Sequence, residues 1–133
     1  NNCKGCLYCH NIEDCSIKDD MEDIMSKMKS SDTIVFGIPN YFDNVSGLAK
    51  TFMDRCHPFY KSEGLKNKKI YFIFVGGGDT FGTDESLSKS VDGFVKYLKM
   101  INIGKYVVKA LENNDAKNTS INFNKIIEDI RRS

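Results

Sequence analysis

The sequence predicts an α/β protein in which a parallel sheet carries helices on both faces. Three observations lead there. Short, continuous apolar runs occur at Thr33-Ile-Val-Phe-Gly-Ile38 and Ile70-Tyr-Phe-Ile-Phe-Val75, and such runs suit strands buried on both sides. Stretches with apolar residues at helical spacing lie before, between and after them. Strands that alternate with helices build a parallel sheet.

The elements follow in order. Residues 1–18 form a Cys/Gly loop without a period. From Asp19 the pattern turns helical, with Met21, Ile24, Met25 and Met28 at i, i+3, i+4 and i+7 and Asp19 or Asp20 as N-cap. Ser30-Ser31-Asp32 ends that helix, and Pro39 closes the strand that follows. Ser46 caps a second helix, whose inner face reads Ala49, Phe52, Met53 and Cys56 before Pro58 stops it. The lysine-rich stretch from Tyr60 to Lys69 reads as an exposed connection to the strand at Ile70–Val75, which ends at Gly76-Gly77-Gly78. Leu87, Val91, Phe94, Val95, Leu98 and Ile101 line one side of an amphipathic helix. Gly104 reads as a stop, Tyr106–Val108 as a weaker strand, and Glu112–Ser120 as a polar linker. Phe123, Ile126, Ile127 and Ile130 mark a final helix. The expected organisation is a single domain over 1–133, with a cysteine loop at 1–18 and an α/β body at 19–133. Ligands of such sheets bind beyond the carboxyl ends of the strands, which singles out the loops Pro39–Ser46 and Gly76–Thr83.

Composition narrows the function classes. The 133 residues are 41% hydrophobic and 28% charged, an ordinary globular balance. Nineteen basic against eighteen acidic residues leave a net charge of +1. There is no basic footprint for nucleic acid, and no strong single-sign field of the kind a small dedicated electron shuttle carries, which tilts the expectation toward an enzyme. No apolar run approaches the roughly 18 residues of a membrane span, and no basic-then-apolar leader is visible, so a cytoplasmic address is expected.

Four of the five cysteines are crowded into Cys3-x2-Cys6-x2-Cys9-x5-Cys15. Thiolates at i, i+3 and i+6 can wrap one iron–sulfur cube. The bacterial ferredoxin run shares the first two spacings but places its fourth cysteine three residues on, before proline; here it comes after five, before Ser16. A four-cysteine zinc site pairs two Cys-x2-Cys knuckles across a longer gap, and disulfides need an oxidising compartment. A 4Fe–4S cluster ranks first, zinc or an empty reduced thiol group second, disulfides third. His10 lies inside this loop and reads as a solvated histidine rather than a substitute ligand.

The second feature is Gly37-Ile-Pro-Asn-Tyr-Phe-Asp-Asn-Val-Ser-Gly47. A flavin ring needs an apolar or aromatic wall and backbone amides at its polar edge. Tyr41 and Phe42 can supply the wall, and the amides of Asn44–Gly47 open a helix. Equally, Pro-Asn-Tyr is a turn whose aromatics cap the core. Cys56-His57 invites a nucleophile reading, but Cys56 falls on an inner helix face, where an inert thiol is expected. The methionines at 21, 25 and 28 read as core.

The run from Cys3 to Met21, continued through Asp32, Gly37, Pro39, Tyr41-Phe42, Val45-Ser46-Gly47, Lys50 and Phe52-Met53-Asp54-Arg55, resembles the flavodoxin-like NADPH-dependent FMN reductases, most closely their iron–sulfur flavoprotein branch. The resemblance is dense over 3–55 and beyond that rests on element order and the triple glycine. It implies a flavodoxin-like three-layer sandwich, FMN at the strand ends, and a 4Fe–4S cluster on Cys3, Cys6, Cys9 and Cys15 near the flavin. It also implies that Pro39, Asn40, Tyr41, Phe42, Val45 and Ser46 line the ring, with Gly76, Gly77 and Gly78 as the next flavin loop and Asp54-Arg55 structural. NAD(P)H or a ferredoxin-like carrier is the implied donor, and a homodimer or homotetramer the implied assembly.

Family members open on a strand, a phosphate-binding turn, a helix and a second strand before the cysteines. Such a unit takes about 30 residues or more, and two residues precede Cys3 here. The expectation is therefore a sheet lacking its first β-α-β unit, in the C-terminal portion of a longer polypeptide or one whose front was cut off or left out. The function expected is an FMN-dependent oxidoreductase with no catalytic acid or base. The alternatives are a non-enzymatic flavodoxin-like electron carrier and a zinc-stabilised α/β interaction module.

Overall fold

The structure, a computed structural model, describes residues 1–77, 80–109 and 121–132. Its centre is β3 (Lys69–Gly76), where the apolar run leaves no face for water. Ile70, Phe72 and Phe74 point to one side and Tyr71 to the other, all of them buried. β1 (Thr33–Tyr41) and β4 (Ile101–Lys109) flank β3 in parallel, with β1 in unbroken register from Thr33 opposite Lys69 to Pro39 opposite Val75. A two-residue strand, β2 (Asn44–Val45), folds back antiparallel on the end of β1, giving the order β2-β1-β3-β4.

The sheet is thus mixed rather than wholly parallel, and β1 is longer than the stop at Pro39 suggested. Pro39 lies inside the strand, opposite Val75 of β3 and just short of the residues that pair with β2. Beyond it Phe42 and Asp43 both take positive φ, at 53° and 56°. Two left-handed residues between paired strands make the tight turn whose twist suits a hairpin, and this turn creates β2.

Helices cover both faces. α1 (Met21–Ser30), α2 (Gly47–Arg55) and α4 (Thr80–Tyr97) pack on the side of Phe72 and Phe74, and a one-turn helix, α3 (Phe59–Ser62), follows α2. Met21, Met25 and Met28 are core, as the helical spacing predicts. Phe36 of β1 meets Phe52 of α2 edge-on at 5.0 Å and Phe94 of α4 at 6.4 Å, binding sheet and helices into one aromatic cluster. On the opposite face α5 (Phe123–Arg132) lies against β4, and the Tyr71 hydroxyl donates to Asp129 across 2.9 Å. The expected linker at 112–120 lies outside the described residues.

Gly104 is not a stop. It sits inside β4 with φ 143°, at an irregularity where the register against β3 shifts by one. A Cβ there would come within 3.0 Å of the Tyr71 ring, so both the backbone angle and the space call for glycine. Gly104→Ala is expected to lower stability by about 1–3 kcal/mol, read as a lower urea midpoint with unchanged slope.

Candidate functional site

Two clusters of chemistry-bearing residues stand at opposite ends of α2, a helix of nine residues, about 13 Å long at 1.5 Å per residue. Ser46 starts α2 by accepting the Ala49 amide at 3.2 Å. At this end the helix meets the carboxyl edge of the sheet. Pro39, Tyr41 and Ser46 line an open groove of about 380 Å³ together with Phe36 and Phe52. Phe42 stands fully exposed at the tip of the hairpin, in a left-handed conformation costly for a bulky residue.

Asn40 occupies the next position inward, paired with Val45 across the hairpin. Its Nδ2 donates to the Thr83 hydroxyl at 3.3 Å, while its Oδ1 is buried without a partner among the described residues. Thr83, the last residue of the second candidate loop, joins this site through a contact with Asn40 that the sequence did not reveal. It is buried at the start of α4, and a Cβ on Gly76 would collide with it. The absent side chain at Gly76 therefore serves helix packing here. Gly77 is exposed next to it, and Gly78 lies outside the described residues.

At the other end of α2 the cysteine loop wraps back on itself through two positive-φ residues, Gly5 and Leu7, and a 3-10 turn at Tyr8–His10. Cys3, Cys6, Cys9 and Cys15 are all free thiols and line one pocket of about 100 Å³ with Ser16, Arg55 and His57 in its wall. Among the described residues no group of three His, Cys, Asp or Glu side chains is spaced to hold a single metal ion. Cys6 Sγ lies 3.3 Å from the Ser16 hydroxyl, and this hydrogen bond draws its thiol below the usual value. Burial pushes the Cys9 thiol up, and its Sγ lies 3.3 Å from His57 Nδ1. His10, expected to be solvated, is instead half-buried and stacked on His57 at 4.9 Å, with its Nε2 unpartnered among the described residues.

Arg55 holds the loop in place. Only 2% exposed, it donates from both terminal nitrogens to the Asp19 carboxylate at 2.8 Å, to the Asn1 carbonyl at 2.9 Å and to the Ile17 carbonyl at 3.3 Å. Its Nε–H is buried with no partner among the described residues, in the residue that forms the wall of the thiol pocket. Cys56 beside it is inert: burial raises its thiol to about 12.

With this geometry in view the comparisons are decisive. The model of the family described as NADPH-dependent FMN reductase matches residues 2–114. The chain belongs to that family. An iron–sulfur flavoprotein of Methanocaldococcus jannaschii is 36% identical over 104 residues, covering 78% of this chain and 53% of that protein. Another, from Methanosarcina thermophila, is 32% identical over 103 residues, covering 77% and 53%. The chain spans about half the length of these curated relatives. Among solved structures, a Trp repressor binding protein from Bacillus subtilis superposes with TM-score 0.64 at 21% identity, over 77% of this chain and 65% of that one. General stress protein 14 from Treponema denticola, solved in complex with FMN, superposes with TM-score 0.58 at 16% identity, over 76% and 64%. The fold is flavodoxin-like.

Two outcomes follow from the site's chemistry. Asp19 is held well below the ordinary carboxylate range, first by the Arg55 hydrogen bonds and then, against burial, by Asn1. A depressed folded value stabilises above the unfolded value and is lost on acidification. The thermal stability advantage of the wild type over Asp19→Asn is therefore expected to be full at pH 7 and to shrink steadily below about pH 4. In the native, metal-free protein, iodoacetamide at pH 8 is expected to leave Cys56 unmodified while alkylating the exposed Cys3 and Cys6; peptide mass spectrometry reads the difference.

Proposed function

We propose that the chain carries the ring-binding and cluster-binding parts of an FMN-dependent oxidoreductase, with FMN at the carboxyl edge of the sheet and a 4Fe–4S cluster on Cys3, Cys6, Cys9 and Cys15. One observation carries the reading: four free thiols share a pocket at one end of α2, and an aromatic hairpin stands at the other.

The residues fit both groups. The groove wall of Pro39 and Tyr41 offers an apolar surface, and the Oδ1 of Asn40, unpartnered among the described residues, is an acceptor that suits an N–H of the kind a flavin ring carries. Val45 and Ser46 hold the hairpin and the start of α2 in place, Phe42 stands where it can fold over a ring, and Gly76 lets α4 close against the same edge, with Gly77 and Gly78 following. At the other end, four thiols that line one pocket suit a cluster held by four cysteines, and the Nε–H of Arg55, without a partner among the described residues, suits sulfurs that carry negative charge. When bound, the flavin supplies two-electron acceptance and the cluster one-electron transfer. The chain's own residues orient the ring, hold the thiolates and fix the distance between the two sites through α2.

NAD(P)H, or a ferredoxin-like carrier, is the proposed donor, and the subunits are proposed to pair as a homodimer or homotetramer in the cytoplasm. No helix among the described residues is long and apolar enough to cross a membrane. The test is anaerobic purification followed by iron, acid-labile sulfide and flavin analysis. Iron and sulfide in equal amounts with bound FMN support the reading; a colourless protein, or one with zinc in place of iron, overturns it. Tyr41→Ala is expected to weaken FMN binding roughly 2- to 10-fold, through lost ring contact, in a fluorescence titration.

A further inference from the structure

We propose that His57 is a positioning residue for the cysteine-bound cluster: its Nδ1–H donates to the Cys9 thiolate and raises the cluster's reduction potential. The proposal rests on the reading of the four cysteines as cluster ligands.

The contact is long-range and built. His57 follows α2, 48 residues from Cys9, and its Nδ1 lies 3.3 Å from Cys9 Sγ. Two aromatic neighbours contact the imidazole. His10 stacks on it nearly parallel, at 4.9 Å and 14°, and Tyr60 lies at 5.9 Å. The backbone is fixed too, with the Tyr60 amide donating to the His57 carbonyl at 3.0 Å and Pro58 next in the chain. These contacts hold the ring, though its residue is exposed, with Nδ1 toward the sulfur. A nitrogen at that distance from sulfur is placed for a hydrogen bond to the thiolate rather than for a share of the metal.

Donor and acceptor follow from chemistry. A ligating thiolate has no hydrogen to give, so the hydrogen in the contact has to sit on Nδ1, which fixes the tautomer. Reduction adds negative charge that spreads onto the cysteine sulfurs. A fixed N–H stabilises the reduced cluster more than the oxidised one, and hydrogen bonds to cluster sulfurs are among the terms that set the potential. Ser16 offers Cys6 a comparable donor from within the loop. His57 differs because it reaches the loop from the α2–α3 turn and so ties Cys9 to the body of the fold.

The test compares His57→Leu, which removes the donor, with His57→Asn, whose amide nitrogen falls near the position of Nδ1. Both are prepared as anaerobic holoprotein, and the cluster's midpoint is read by a redox titration followed by electron paramagnetic resonance. His57→Leu is expected to shift the midpoint to more negative potential and to speed iron loss to a chelator roughly 10- to 100-fold. His57→Asn is expected to restore most of both. A wild-type midpoint in His57→Leu, or an Asn variant as shifted as the Leu variant, overturns the proposal. Should the Leu variant hold no cluster, the Asn variant decides: a cluster of near wild-type potential supports the proposal, and an Asn variant equally empty overturns it. Wild-type protein without iron overturns the cluster reading and this proposal together, whereas a cluster indifferent to His57→Leu overturns this proposal alone.

Discussion

One buried guanidinium organises the functional half of this chain. A loop of four cysteines has no apolar core of its own to fold around. Arg55 supplies the missing anchor. Its two terminal nitrogens gather the carboxylate of Asp19 with the carbonyls of Ile17 and Asn1, so both ends of the cysteine loop are tied to the last turn of α2. A planar fork can do this where a lysine cannot, because it satisfies several acceptors in fixed directions at once. A buried charge is tolerable only when it is paired and hydrogen-bonded, as both terminal nitrogens are here.

Seen from Arg55, α2 is the rod on which the site is mounted. Its first residues close the groove beside the hairpin, and its last residues close the thiol pocket. The helix itself is clamped from the inside, where Phe52 packs between Phe36 of the sheet and Phe94 of α4. Rigid elements hold the geometry of a site better than loops do. The same logic applies at the sheet edge, where Asn40, Thr83 and Gly76 lock the first strand's loop to the start of α4.

Much of the fold was legible because it is written in local periodicity. The β3 run, the methionine stripe of α1 and the Ser46 cap each appear in the structure where spacing put them. Readings that depended on single punctuating residues fared worse. Pro39 did not end β1, because the hairpin with β2 carries the strand on to Tyr41, and Gly104 did not end β4, because its freedom is used for a bulge under Tyr71. His10 was read as solvated since nothing nearby in sequence could bury it; the residue that stacks on it, His57, comes from the far end of α2. Thr83 closed the second candidate loop, but nothing in the sequence paired it with Asn40.

The amino-acid order alone therefore determined the alternation of strands and helices, the crowding of four thiols, and the aromatic loop after the first strand, since each lies within a window of some twenty residues. What the tertiary structure decided is which distant groups meet them. Arg55 on Asp19, His57 on Cys9 and Thr83 on Asn40 are contacts between segments 36 to 48 residues apart. Such contacts arise only when helices are laid on a sheet, because hydrogen bonding needs direction and distance that a linear pattern of hydrophobicity does not encode.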